Sequence, residues 1–136
     1  MPEILGLYGL IPSVKSFCNK IDRTNKTRIH IITDHFNEEE RFDNKKELAL
    51  YRAIKELVNN TMKHARAADI TIRFYKTDEF HAIEYTDNGI GFRFDEKIKG
   101  GATLGLKNII NRIESVNGYV HFTSTPGSGT KVVIRW

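Results

Sequence analysis

The chain has almost no sulfur chemistry, little proline and no long apolar run. Of its 136 residues one is cysteine, three are proline and one is tryptophan. A single thiol excludes an internal disulfide and suits a reducing compartment. Cys18 falls at helical spacing with Val14, Phe17 and Ile21, the pattern of a buried thiol rather than a reactive one. No stretch approaches the roughly 18 apolar residues that a membrane span requires, and none reads as a signal peptide. Repeats, linkers and low-complexity tracts are missing too. The net charge of +4 is mild, and no dense basic stripe is interleaved with aromatics. That argues against nucleic acid as a partner, while a local cluster could still face a polyphosphate.

What is present is one-domain soluble composition, 40% hydrophobic and 28% charged, enough to bury about two-thirds of the unfolded surface. Leu7, Leu10, Ile11, Val14, Phe17 and Ile21 recur at helical spacing over residues 4–22, with Gly9 and Pro12 marking a kink or restart. Residues 27–33 alternate as a strand. A charged loop follows at 37–41. Asn44 and Glu47 stand in capping-box relation and open a long helix predicted to reach Ala65. Residues 69–75 and 80–86 read as a hairpin, 105–116 as a helix ended by Asn117-Gly118, and 119–124 with 130–136 as a second hairpin. The expected fold is α/β: a two-layer sandwich with a mixed, mostly antiparallel five-stranded sheet and helices on one face. The loop at 87–104 is long for such a domain, which favours function.

The long helix carries the chemistry. Glu56, Asn60, Lys63 and His64 share roughly a 100° arc at 100° per residue. Beside it Leu50, Ile54, Leu57, Val58, Thr61 and Ala65 form a largely apolar arc. A carboxamide such as Asn60 can give a magnesium ion one oxygen, the usual sparse protein contribution. Lys63 and His64 can neutralise phosphate, and Glu56 can orient a metal-bound water or act as a base. The same residues are also compatible with a solvated face of i,i+4 pairs. Asp87-Asn88-Gly89-Ile90-Gly91 ends a strand; alone it suits a plain turn, but its carboxylate could accept the amino hydrogen of adenine. Gly100 and Gly101-Ala102-Thr103-Leu104-Gly105-Leu106 lead into a helix whose N–H groups can hold phosphates. No Gly-Lys-Ser/Thr follows, so this is not a P-loop. Together the motifs point to a nucleotide.

Taken in order, these pieces resemble the ATP-binding domain of two-component sensor histidine kinases, a fold shared with gyrase, mismatch-repair and heat-shock chaperone ATPases. Glu56–Ala65 resembles the N box, Asp87–Gly91 the first glycine box, Gly101–Leu106 the second, and Gly127-Ser128-Gly129-Thr130 the terminal Gly-x-Gly-Thr. The likeness covers about residues 44–136. Leu50-Tyr51-Arg52, Lys63-His64-Ala65 and Ile109–Arg112 are similar to the branch that includes nitrate-sensor-like kinases. Residues 1–26 resemble the end of the dimerisation and linker helices, and residues 27–136 the catalytic domain.

The resemblance implies Asn60 as magnesium ligand, Asp87 as adenine selector, and Lys63 and His64 as phosphate contacts. It implies that Gly89, Gly91, Gly101, Thr103, Leu104, Gly105, Leu106 and Thr130 shape the pocket. Glu56 is the candidate catalytic residue. ATP and Mg²⁺ would be bound, the acceptor would be a histidine on a dimerisation domain, and the phosphoryl group would pass to a response regulator. Many relatives have a glycine where Thr103 stands. None of His30, His35, His64, His81 and His121 sits in an upstream helix with an acid beside it, so the acceptor is expected outside this chain. His30, His81 and His121 fall on strands as half-exposed sheet positions. The fragment is expected to be a monomer, cytoplasmic and without membrane contact, belonging to a homodimeric full-length protein that an upstream segment could anchor in the inner membrane. Two alternatives stay open: a gyrase-like hydrolase with Glu56 activating water, and a regulatory module or serine kinase of the same fold.

Overall fold

The computed structural model describes residues 3–24, 27–65, 69–89, 104–124 and 127–136, with the side chains of 22–24, 64, 65 and 104 left aside. Helix α1 spans Glu3–Tyr8 and α2 spans Leu10–Thr24. Between them Gly9 has φ +94°, a left-handed conformation that breaks the helix where the sequence predicts a restart. Pro12 lies in the first turn of α2, where its missing N–H is not needed. The end of α1 is capped from outside: the Arg41 guanidinium donates to the carbonyls of Leu5, Gly6 and Leu7. Leu5, Leu10, Ile11, Val14 and Cys18 join one buried cluster with Leu50, Tyr51, Ile54 and Val58.

Strand β1 covers Arg28–Asp34 and helix α3 covers Asn44–Asn60. The predicted capping box does not form, and the N-cap lies one residue earlier than Asn44. Asp43, extended at φ −63° and ψ 156°, is the N-cap, and its side chain accepts from Lys46 N. Glu47 is instead fully buried, accepting from Arg41 Nε at 2.9 Å, Arg41 Nη2 at 3.0 Å and Phe42 N at 3.2 Å. The physical reason is competition. A guanidinium within reach offers a carboxylate two charge-assisted bonds, which outweigh one bond to the N-cap amide.

Strands β2 (Asp69–Lys76) and β3 (His81–Asp87), helix α4 (Leu104–Ser115), and strands β4 (Tyr119–Ser124) and β5 (Thr130–Arg135) complete the order. The sheet runs β1-β2-β3-β5-β4, with β1 parallel to β2 and every other pairing antiparallel. This is the expected mixed sheet. Side chains alternate across it, so Ile70, Ile72 and Phe74 of β2, Ile83 and Tyr85 of β3, and Val132 and Ile134 of β5 are buried on one face. Those rows share the core cluster with Ala53, Ile54, Leu57 and Val58 of α3 and Ile109 and Ile113 of α4. Helix α4 ends at Asn117 in the left-handed region, with Gly118 N donating to Ile113 O, as Asn117-Gly118 predicts.

His81 is more closely surrounded than its place on a strand alone implies. It is a half-exposed position on β3, as expected, but one with specific partners: its ring stacks on Trp136 at 5.7 Å, meets Phe36 and Phe42 edge-on, and brings Nε2 to 2.6 Å from Glu40 Oε2. The loop before α3 folds over this end of the sheet and supplies Phe36, Phe42 and Glu40, while Trp136 follows β5.

Candidate functional site

At the opposite end of β3 three segments converge. Strand alternation continues the buried row Ile83, Tyr85 with Asp87, so a carboxylate faces the helical layer where an apolar side chain would otherwise stand. Register sets Asp87 between Ile70 of β2 and Thr130 of β5. Three donors meet its two oxygens. Gly89 N and Thr130 N donate to Oδ1 at 2.9 and 3.2 Å, and the Thr61 hydroxyl donates to Oδ2 at 2.9 Å. Gly129 allows this approach: at φ +79°, a Cβ there would lie 2.1 Å from Asp87 O. Asn88 fixes the strand end by accepting from Asp69 N.

Thr61 links this carboxylate to α3. The helix does not run on unchanged to Ala65: at Thr61 it widens into a π-turn over Thr61–Ala65, with Thr61 N–H shared between Leu57 O and Val58 O. Such single π-turns recur at functional sites. The 100° step assumed from the sequence therefore holds only as far as Asn60. Glu56 and Asn60, one α-turn apart and half-buried, keep their shared face. Lys63 is exposed on the π-turn, and the His64 side chain lies outside the described residues.

That shared face meets the start of α4. A Cβ on Gly105 would lie 2.2 Å from Glu56 Oε1 and 3.3 Å from Asn60 Nδ2. Glycine is thus what lets the two helices approach with both polar side chains between them. Leu104 opens α4, and Leu106 turns its side chain into the core. The backbone amides of the first turn belong to the helix end that lacks internal acceptors. Gly91, Gly101 and Thr103 fall outside the described residues. Thr130 is buried beside Asp87, its hydroxyl 3.2 Å from Ser124 Oγ.

Residues 45–136 match the family described as histidine kinase-, DNA gyrase B-, and HSP90-like ATPase. The chain belongs to this family. It is 31% identical to the signal transduction histidine-protein kinase/phosphatase DegS of Bacillus subtilis, over 98% of this chain and 35% of that protein. It is also 31% identical to the sensor protein VraS of Staphylococcus aureus, over 63% of this chain and 24% of that one. The chain spans about a third or less of these relatives. A histidine kinase domain from the Erythrobacter litoralis EL346 blue-light activated histidine kinase shares the fold, with TM-score 0.70 and 18% identity, covering 92% of this chain and 58% of that one.

As an ATP-binding domain of this family, the chain brings its predicted residues Glu56, Asn60, Gly105, Asp87, Gly89 and Thr130 to one end of the sheet. Two polar contributors escaped the sequence reading. Thr61 lies on the largely apolar arc of the helix, and Tyr85 lies within the strand predicted over residues 80–86 with no role assigned to it. Yet their hydroxyls touch, and Tyr85 Oη also reaches Leu57 O at 3.1 Å. Burial pushes the Tyr85 phenol far above its usual range, so it keeps its proton. A hydroxyl residue inside a helical apolar stripe was the available signal.

Proposed function

We propose that this domain binds ATP with Mg²⁺ and delivers the γ-phosphoryl group to a histidine on the dimerisation domain of a longer, homodimeric sensor kinase, for onward transfer to a response regulator. One observation carries the reading. Thr61, the residue that follows Asn60, donates to the Asp87 carboxylate, so the helix that bears Asn60 is tied directly to the end of the strand that bears Asp87. Asp87 then selects the adenine amino group, and Gly89 and Thr130 hold that carboxylate in place. Lys63, His64, Gly91, Gly101, Thr103 and the first amides of α4, including Leu104 and Leu106, would surround the phosphates.

The donor set suits magnesium. Asn60 offers one neutral oxygen beside the Glu56 carboxylate, and among the described residues no three His, Cys, Asp or Glu side chains form a self-sufficient metal nest. An octahedral ion there would draw its other ligands from phosphate oxygens and water. When bound it would neutralise charge on the transferring group, while Glu56 positions the neighbouring water or proton. Residues 1–26 we assign to the passage out of the dimerisation region, and residues 27–136 to the catalytic unit. The wording of Leu50–Arg52 and Lys63–Ala65 supports placement in the nitrate-sensor-like branch. No described helix is long and apolar enough to cross a membrane, in keeping with a domain acting on the cytoplasmic side.

Calorimetry tests the pocket. Asp87→Asn should weaken ATP binding by about tenfold, the loss of one charge-assisted hydrogen bond. Asn60→Ala should abolish the tightening of ATP that magnesium produces. Unchanged affinity in the first, or retained magnesium dependence in the second, contradicts the assignment. Adding a matching dimerisation domain should yield an acid-labile phosphohistidine. Steady phosphate release by the domain alone would instead favour the hydrolytic reading.

A further inference from the structure

Behind Asp87 stand three buried oxygens that neither metal nor phosphate binding requires: the hydroxyls of Thr61 and Tyr85 and the carbonyl of Leu57. Their protons can be counted. Thr61 Oγ1 carries one and lies 2.9 Å from Asp87 Oδ2 and within hydrogen-bond reach of Tyr85 Oη. Tyr85 Oη carries one and reaches Thr61 Oγ1 and, at 3.1 Å, Leu57 O. Leu57 O already accepts the Thr61 N–H. An ionised Asp87 brings no proton, so two protons must serve three contacts. If Tyr85 donated only to Leu57 while Thr61 donated to Asp87, the two hydroxyl oxygens would face each other with no hydrogen between them. With the Thr61 proton committed to Asp87, the Tyr85 O–H must serve both of its neighbours. It points chiefly to the nearer Thr61 oxygen and secondarily to Leu57 O, which the Thr61 N–H already satisfies. The chain then runs one way, Tyr85 O–H to Thr61 and Thr61 O–H to Asp87.

We infer that Thr61 and Tyr85 are positioning residues that set the base preference of the pocket, by orienting Asp87 and holding it as an acceptor through a one-way chain of hydroxyl protons. Oδ1 is anchored by the backbone amides of Gly89 and Thr130. Only Oδ2 depends on a side chain, and that side chain belongs to the helix bearing Asn60. A base with an exocyclic amino group supplies the donor this carboxylate lacks. A keto group would set acceptor against acceptor. Tyr85 is sealed in the core and keeps its proton, so it remains the donor at the head of the chain. The inference rests on Asp87 as the base-recognising carboxylate.

The test is a ratio of affinities. ATP is compared with purine riboside triphosphate, which lacks the 6-amino group, and with inosine triphosphate, which replaces it with a keto group. The unmodified domain should prefer ATP over the deaminated analogue by about tenfold. Thr61→Val keeps the shape and removes the hydroxyl; it should cut that preference to about threefold or less while leaving binding of the deaminated analogue within about twofold. Thr61→Ser should restore the preference. Tyr85→Phe keeps the ring and removes the first donor, and should lower the preference by about two- to threefold. A role in folding alone would weaken all three nucleotides together, and that result overturns the inference. So does an unchanged ratio in either variant. Should Thr61→Val fail to fold, Tyr85→Phe decides alone. Failure of the underlying reading looks different: the unmodified domain would show no preference, or Asp87→Ala would retain one.

Discussion

Gly105→Ala separates stability from function with one methyl group. Gly105 is the second residue of α4, at no special φ, so alanine is compatible with the backbone and favours the helix by up to about 1 kcal/mol. The added Cβ would lie 2.2 Å from Glu56 Oε1, where ordinary contact begins at 3.4 Å. Glu56 must therefore withdraw its carboxylate by about 1.2 Å, and because the clash is with the far end of a flexible side chain it can do so by rotation. An off-rotamer excursion of this kind costs about 0.5–1.5 kcal/mol. The two effects nearly cancel, so the melting temperature should stay within about 5 °C of the parent. Activity should not. Displacing a group that acts on the nucleotide by about 1 Å can cost about 100-fold in rate, and pressure on Asn60, 3.3 Å from the same Cβ, should weaken the magnesium dependence of binding. Thermal unfolding, calorimetry with and without magnesium, and phosphotransfer to a dimerisation domain measure the three quantities. A variant with parental stability and parental transfer would refute the placement of Glu56 and Asn60 against the nucleotide. A variant that simply unfolds would refute the assessment of the clash.

Gly129→Ala should behave in the opposite way. Its φ of +79° is left-handed and the new Cβ would meet Asp87 O, a backbone atom, at 2.1 Å, so we expect a loss of about 2 kcal/mol or more in urea unfolding; a loss under about 0.5 kcal/mol would contradict the close approach. Asp34→Asn tests an ion pair rather than the site. Arg73 Nη2 donates to Asp34 Oδ2 at 2.7 Å and holds that carboxyl below its ordinary value of 3.8. The stabilisation is complete above the unfolded value and fades as pH falls through the lower folded one. Melting temperatures of the parent and the variant should thus differ at neutral pH and converge well below pH 3.8; a constant gap across that range would rule out the pair as the cause.

The order of elements was legible because burial here follows simple periods. Ile70, Ile72 and Phe74 alternate, Leu50, Ile54, Leu57 and Val58 recur at helical spacing, and Asn117-Gly118 stops a helix by backbone conformation alone. What stayed hidden depends on partners distant in sequence. Whether Asp43 or Asn44 caps α3 is decided by Arg41, which draws Glu47 away. The partners of His81 come from Trp136, 55 residues later, and from the loop bearing Glu40. The π-turn has no signature in the run from Thr61 to Ala65, so the arc assigned to Lys63 and His64 was extrapolated from a helix that changes form. Four separate motifs suggested a site, with Gly91, Gly101 and Thr103 outside the described residues; the hydrogen bonds through Thr61 were not suggested, because Thr61 reads as part of an apolar stripe.

That network explains why a carboxylate can end a core row at all. Removing an ion from water is penalised by several kcal/mol even in a relaxed protein, while each hydrogen bond to a charged group returns about 1.5–3 kcal/mol. Asp87 receives three such bonds from three different parts of the chain: the π-turn after α3, the loop after β3 and the start of β5. Two come from backbone amides, Gly89 in the loop after β3 and Thr130 at the start of β5, and need no side chain at position 61. The third comes from a side chain and is the adjustable one. Stability alone would be served as well by an apolar residue continuing Ile83 and Tyr85, since buried ion pairs and charges seldom outperform good packing. On the proposed function the carboxylate is placed for what it accepts from a ligand, and the polar ends of the α3, β3 and β5 rows form one structure that closes the core and opens the proposed nucleotide site.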